Sequence, residues 1–231
     1  MARTGFCHHI GSFLLFAATI LLIVVSISAP VVNHISLLKV QTSNISRGTT
    51  PAIEFGSFGY CSVDNGNGHD ICSPRKIGYN PAAVVTAANV ATSFSDASED
   101  STKILTKIMI LHPVAAAVSF IAFLLALGAG FIGSFMATIV SLIAFIVTAV
   151  VVITDFILFH IIKDHVNDSK SNASAKYGIA IWLLLAAGAC LLIGTLIVFF
   201  SCCSARMHRQ RHASTGKIDT SYGTSTRRRR F

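Results

Sequence analysis

Residues 55–61 read Phe55-Gly56-Ser57-Phe58-Gly59-Tyr60-Cys61, and Asp70-Ile71-Cys72-Ser73 comes shortly after. Two cysteines eleven positions apart, set among glycines and aromatics, point to a small disulfide-tied fold on the oxidising side of a membrane. The alternatives are free thiols or a metal site. Zinc asks for four ligands, and His69 is the one further candidate nearby. Around this stretch the chain is unlike a soluble protein. Of its 231 residues 53% are hydrophobic and only 12% are charged, against about 25% charged in an average soluble domain. With a mean hydropathy of +0.68, its solvent is expected to be the bilayer.

Four stretches are long and apolar enough to cross a membrane as helices. They are residues 10–29, closed by Pro30, then 108–127, 135–159 and 177–200. The first also has features of a cleaved signal peptide, with small residues at Ser26, Ser28 and Ala29, but its apolar run is longer than such a core requires. Four spans put both termini on one side. The tail 201–231 carries Arg206, Arg209, Arg211, Lys217 and Arg227, Arg228, Arg229 and Arg230 against the single acidic Asp219, which places the termini in the cytosol. Residues 1–9 form the cytosolic amino terminus, and 30–107 and 160–176 are outer loops. Residues 128–134 are a short glycine turn. That turn matches GxGxxG by letter, but it lies between two apolar helices rather than after a strand, so a dinucleotide reading fails.

Within the first outer loop, β-branched and aromatic runs at 31–40 and 53–63 predict two to four short antiparallel strands, with Asn65-Gly66-Asn67-Gly68 as the turn between the cysteines. Residues 81–94 are Ala-rich at helical spacing and predict one short helix. The polar, acidic stretch 95–102 reads as a loop returning to the membrane. The expected fold is therefore an all-α transmembrane four-helix bundle with a small disulfide-tied extracellular sheet.

Several residues stand out chemically. Asn44, Asn167 and Asn172 head glycosylation sequons, Asn44 being the best placed acceptor. Cys202 and Cys203 sit at the cytosolic end of the fourth span and are palmitoylation candidates, ahead of Cys7; Cys190 reads as packing. The basic tail suits anionic inner-leaflet lipid, while a four-span protein makes nucleic acid a poor partner. Asp155 is the one intramembrane charge. It lies about five residues, roughly 7–8 Å, from the outer end of its span, a depth at which it can be hydrated or pair with His112 or Lys163. His34, His69, His112, His160 and His165 are expected to face outward. Small residues at 115–117, 126–130 and 186–189 suit close helix contacts, within the bundle or with a partner, a homo-oligomer included. There is no nucleophile–base pair, phosphate loop or metal cluster, so neither an enzyme nor a cofactor is expected, and the spans lack the repeated polar positions of a transport pathway.

Four spans with an aromatic–Gly–aromatic lead-in and two cysteines resemble the claudin-like superfamily, whose pattern there is W-GLW-C-C. Phe58 takes the aromatic place before Cys61, and the tryptophans are absent. The chain more closely resembles the fungal Sur/PalI family, and within it the PalI-like pH-response branch in short-tailed form. Phe58-Gly59-Tyr60-Cys61, Cys72, Ile77-Gly78-Tyr79 and Leu111-His112-Pro113-Val114 carry the likeness, with Ala180-Ile181-Trp182-Leu183 and Phe200-Ser201-Cys202-Cys203 closing the fourth span. The match runs over about residues 1–212. The resemblance implies a plasma-membrane accessory of ambient-pH signalling that helps a seven-span sensor reach or stay at the surface. Functions of the long Pro/Gly-rich tail found in many members are not carried over, because the sequence here ends at Phe231. The alternative that the family offers is a Sur-type organiser of membrane domains and cell-wall integrity; a channel or transporter subunit is a third class.

Overall fold

The computed structural model describes residues 6–32, 34–42, 51–63, 70–88, 96–128, 131–168 and 173–222, with the backbone alone for 6–8, 96–98, 131–132 and 202–222. Six helices and five strands occur in the order α1 (Phe6–Ser26), β1 (Leu38–Thr42), β2 (Ala52–Phe55), β3 (Tyr60–Val63), β4 (Ile71–Cys72), α2 (Pro81–Ala87), α3 (Asp96–Ile108), α4 (Leu111–Leu127), α5 (Phe131–Asp168), β5 (Ala173–Tyr177) and α6 (Ile179–Tyr222).

Four helical stretches are long and apolar enough to cross a bilayer: His9–Ser26, Glu99–Leu127, Gly133–Asp168 and Ile179–Ser201. They form a ring in which α1 touches α4 and α6, and α5 touches the same two. Each presents its small and branched residues inward: Leu15, Ala18 and Leu22 from α1, Ala115 and Ala122 from α4, Ala144 and Val151 from α5, and Leu184, Ala187 and Leu191 from α6 are buried. Phe13, Phe120, Ile121, Ile153 and Phe200 point outward, as the apolar exterior of a membrane bundle must. Gly11 and Gly194 let α1 and α6 approach closely. A Cβ on Gly194 would lie 3.3 Å from the Gly11 carbonyl.

The helices outrun the spans expected from hydropathy. Residues 95–102, expected to be a loop, instead open α3 from Asp96 onward. Glu99, in the first turn, suits a helix amino terminus, where the backbone dipole is positive, and Thr102 and Thr106 give α3 a buried face. The second span, expected to be continuous over 108–127, is broken at Met109–Ile110. Pro113 is the cause: its ring excludes the carbonyl four residues back, that of Met109, from the helical ladder. At the other end of α4, the glycine turn closes earlier than expected, because α5 already begins at Phe131. Helix α5, expected to end at 159, runs on to Asp168; its 38 residues span about 57 Å, well beyond a hydrocarbon core of about 30 Å.

The segment after α5 also differs from expectation. Ala173–Tyr177 is a strand, with Ala175 buried and Ala173 and Tyr177 half-buried on the same face, and it joins the sheet formed by the first outer segment. The sheet order is β4-β3-β2-β1-β5, antiparallel throughout. The run 53–63 is a hairpin of β2 and β3 turning at Gly56–Gly59, and with β1 and β4 the first outer segment supplies four strands, within the two to four expected. Leu37, Leu38, Val40 and Phe55 continue the bundle core into the sheet without interruption, so sheet and bundle are one body.

Candidate functional site

The hairpin turn that carries the aromatic–glycine motif is seated on the end of α1. The Gly56 amide donates to the Gly59 carbonyl at 2.9 Å, closing the turn. Ser57 then makes a reciprocal set with α1. Its amide donates to Ser28 Oγ at 3.1 Å, its hydroxyl donates to the Val25 carbonyl at 3.1 Å, and the two hydroxyl oxygens lie 3.2 Å apart. A side chain at Gly56 would collide with the Ala29 carbonyl, and one at Gly178 with the Ser36 carbonyl. Glycine is required at these positions because one backbone lies directly against another.

Tyr79 joins this turn to the helices. Its hydroxyl donates to the Gly56 carbonyl at 2.8 Å, and its ring stacks on Phe55 at 6.5 Å between centroids, with Tyr60 at 6.4 Å. Gly78, at φ 70°, turns the chain into this position, and Lys107 fills the space beside it. The Tyr79 carbonyl accepts from Thr106 Oγ1 at 2.7 Å, which fastens the segment to α3. Burial holds the Tyr79 hydroxyl well above the ordinary tyrosine range, with the charge of Asp155 adding to the effect. Next to it, Asn80 caps α2 through Ala83 N at 3.1 Å and reaches Glu99 on α3 at 2.6 Å. Sequence reasoning places Tyr79 within Ile77-Gly78-Tyr79 but assigns it no role. The glycine preceding an aromatic is the available signal.

Below Thr106 lies the intramembrane pair. His112 Nε2 is 3.0 Å from Asp155 Oδ2, and both side chains are inaccessible, at 0% and 1% exposure. The Met109 carbonyl, released from the ladder by Pro113, accepts from His112 Nδ1 at 2.9 Å. Of the two candidate partners for Asp155, His112 is therefore the one it meets. Lys163 instead lies over the Tyr177 ring, 4.7 Å from its centroid. The expectation that His112 faces outward is overturned: the freed carbonyl and the carboxylate draw its ring into the bundle. His34 and His160 are exposed, His160 pairing with Asp164 at 2.8 Å, and His165 is half-buried. His69 lies outside the described residues.

Cys61 and Cys72 face each other across β3 and β4 and are joined by a disulfide, which removes both from the free-thiol and metal alternatives. The register Lys39–Glu54–Cys61–Cys72 puts these residues in one row, on the face opposite Leu38, Phe55 and Tyr60. In that row Lys39 Nζ is 2.8 Å from the buried Glu54 carboxylate.

Asn167, read as a glycan acceptor, has its side chain engaged in the fold: Oδ1 accepts from Ala175 N at 2.9 Å and Nδ2 donates to Ala175 O at 3.3 Å. Asn44, Asn172 and Arg227–Arg230 lie outside the described residues, as do the side chains of Cys202, Cys203, Arg206, Arg209 and Arg211, whose backbone continues α6.

A ring of four membrane-crossing helices, capped by a disulfide-tied antiparallel sheet built from two separate segments, defines a claudin-like multi-pass membrane protein. The SUR7/PalI family profile matches residues 7–194, and the chain belongs to that family. Over 153 residues, 63% of the chain, it is 33% identical to pH-response regulator protein palI/prr-5 of Neurospora crassa, covering 20% of that protein. It is 31% identical to pH-response regulator protein palI/RIM9 of Pyricularia oryzae over the same share of the chain and 19% of that protein. It is 32% identical to the protein of that name from Yarrowia lipolytica over 107 residues, 46% of the chain and 13% of the relative. The chain thus spans about a fifth or less of the length of these relatives.

Proposed function

We propose that this chain is a non-catalytic plasma-membrane component of ambient-pH signalling that assists a seven-span pH sensor in reaching or staying at the cell surface. The observation that carries this reading is the similarity to proteins named as pH-response regulators, 33% identical over 153 residues. The basic residues after the fourth span favour cytosolic termini, which puts the sheet outside, and a disulfide between Cys61 and Cys72 suits that oxidising side. Sheet and bundle share one core, so the outer surface is held rigidly above the helices, where it can meet the outer loops of a partner. Arg206, Arg209, Arg211 and Arg227–Arg230 favour anionic inner-leaflet lipid, and Cys202 and Cys203 acylation, as further anchors.

The test is deletion of the chain in a fungal cell that carries a fluorescent seven-span sensor. Loss of surface sensor together with impaired growth at alkaline pH is expected. A sensor that stays at the surface, with growth unaffected, sinks the reading. Dispersal of furrow-like membrane domains in such a strain would instead establish the Sur-type organiser.

A further inference from the structure

The chemistry of the buried pair is set by what each atom can do. The Met109 carbonyl can only accept, so His112 Nδ1, 2.9 Å away, carries a hydrogen. Between Nε2 and Asp155 Oδ2, 3.0 Å apart, a second hydrogen must lie. It sits either on Nε2, giving imidazolium and carboxylate, or on Oδ2, giving neutral imidazole and carboxylic acid. Both forms hold one dissociable proton and have no net charge. Removing that proton leaves the Nε2 lone pair against a carboxylate, with a net negative charge in a site closed to water. Among the described residues, Asp155 Oδ1 has no hydrogen-bond partner to soften that charge.

Nothing in the described surroundings supplies a replacement cation. Tyr79, on the segment above, is the other titratable group that interacts with Asp155, and its protonated hydroxyl is committed to Gly56. Glu54 on β2 is engaged with Lys39. On α3, Lys103 and Lys107 are exposed to the medium, as is Lys176 on β5. Lys163 on α5 is directed to Tyr177. The facing stretches of α1 and α6, 10–26 and 179–201, contain no charged residue.

We propose that His112 and Asp155 form a one-proton clasp that holds the start of α4 to α5 and opens when an alkaline medium removes the proton. From His112 the connection runs through Met109 to α3, from Thr106 to the Tyr79 carbonyl, and from the Tyr79 hydroxyl to the Gly56 turn. Opening the clasp therefore loosens the seat of the sheet. The proton passes to hydroxide only as the clasp opens, at the sheet-side end of α4, where His112 is the second residue. The clasp does not depend on any pathway, so it can fail while the localisation experiment succeeds, and the reverse.

Asp155→Asn tests it. The Asn amide can donate to Nε2 in the same geometry but has no proton to lose in this range. In detergent micelles, thermal unfolding of the full chain is followed between about pH 6 and about pH 9, on either side of ordinary histidine titration and beyond. The midpoint of the native protein is expected to fall by several degrees as pH rises, and that of Asp155→Asn to stay level. Parallel profiles, or a level native profile, overturn the proposal. A measurement on the native chain stands beside it in case the variant does not fold. With ¹⁵N-histidine, and His112 assigned by its loss in His112→Gln, Nδ1 is expected to remain protonated while the Nε2 signal changes across the same interval. A Nδ1 that loses its proton, or an Nε2 signal that does not move, overturns it equally.

Discussion

The hydroxyl of Tyr79 donates to the carbonyl of Gly56 at 2.8 Å, from a ring that is 8% exposed. This bond links the aromatic–glycine turn of the first outer segment to the helix-bearing half of that segment. Replacing Tyr79 with Phe keeps the stacking on Phe55 but leaves the Gly56 carbonyl buried without a donor. A loss of about 1–3 kcal/mol is expected, read as a lower thermal midpoint with an unchanged far-ultraviolet spectrum. An unchanged midpoint would mean that the bond contributes nothing net.

The same residue sets a limit at high pH. Burial raises the Tyr79 hydroxyl above its ordinary value of 10.0, so the folded state holds the proton more tightly than the unfolded chain. Stability from this source is fully present below about pH 10 and is lost as pH rises beyond it. Tyr79→Phe is expected to show a shallower decline there than the native protein. Equal slopes in denaturation measured across that range would contradict the assignment.

Much of this architecture was legible in composition and spacing, and the parts that were not have a common cause. The apolar runs announced four spans, because a bilayer demands about 20 apolar residues whatever they pack against. Cys61 and Cys72 stood out because cysteines in a polar segment have few alternatives. The strand at Ala173–Tyr177 was not readable, since its five residues alternate weakly and acquire a reason to be extended only from β1 alongside. His112 was legible as one of two partners for Asp155, but its preference over Lys163 and its full burial were not. Both depend on Pro113 freeing a carbonyl and on Asp155 lying opposite, 43 residues away. Asn167 matched a sequon, and only the position of Ala175 reveals its other use.

Gly56 and Gly178 mark the closest backbone approaches around the seat of the sheet. A methyl group at either would meet a carbonyl rather than the flexible end of a side chain. Gly56→Ala and Gly178→Ala are therefore expected to destabilise at or above the upper end of the usual overpacking range of about 1–3 kcal/mol, and to lower the yield of folded protein. Gly188→Ala is the control: its nearest neighbours are side-chain methyls at 3.9 and 4.0 Å, so folded yield should be unaffected. Comparable losses at Gly188 would show that the approach at the seat is not the cause.

Asn167 holds the free edge of β5 through both atoms of its amide. Asn167→Ala removes two hydrogen bonds at a half-buried edge, at a cost of about 1–2 kcal/mol. Faster amide exchange is expected at Ala175, with exchange in β2 and β3 unchanged. An engaged amide is also a poor glycan acceptor, so peptide mapping of the mature chain should find Asn167 unmodified. A glycan there would mean that β5 is held by β1 alone.

Cys61 and Cys72 close a loop with a sequence separation of 11. In the chain-entropy account, a loop of this length restricts the unfolded state by about 2–3 kcal/mol. Cys61→Ser, or reduction, is expected to remove most of that. The effect should be local first, because β4 has only two residues and both are exposed, whereas β1 and β2 are anchored by Leu38, Val40 and Phe55 in the shared core. Protease cleavage around residues 70–76 should therefore appear in Cys61→Ser under conditions that leave the bundle intact. If the His112–Asp155 contact and the four helices are lost together with β4, the sheet and bundle unfold as one unit, and the disulfide governs the stability of the whole chain.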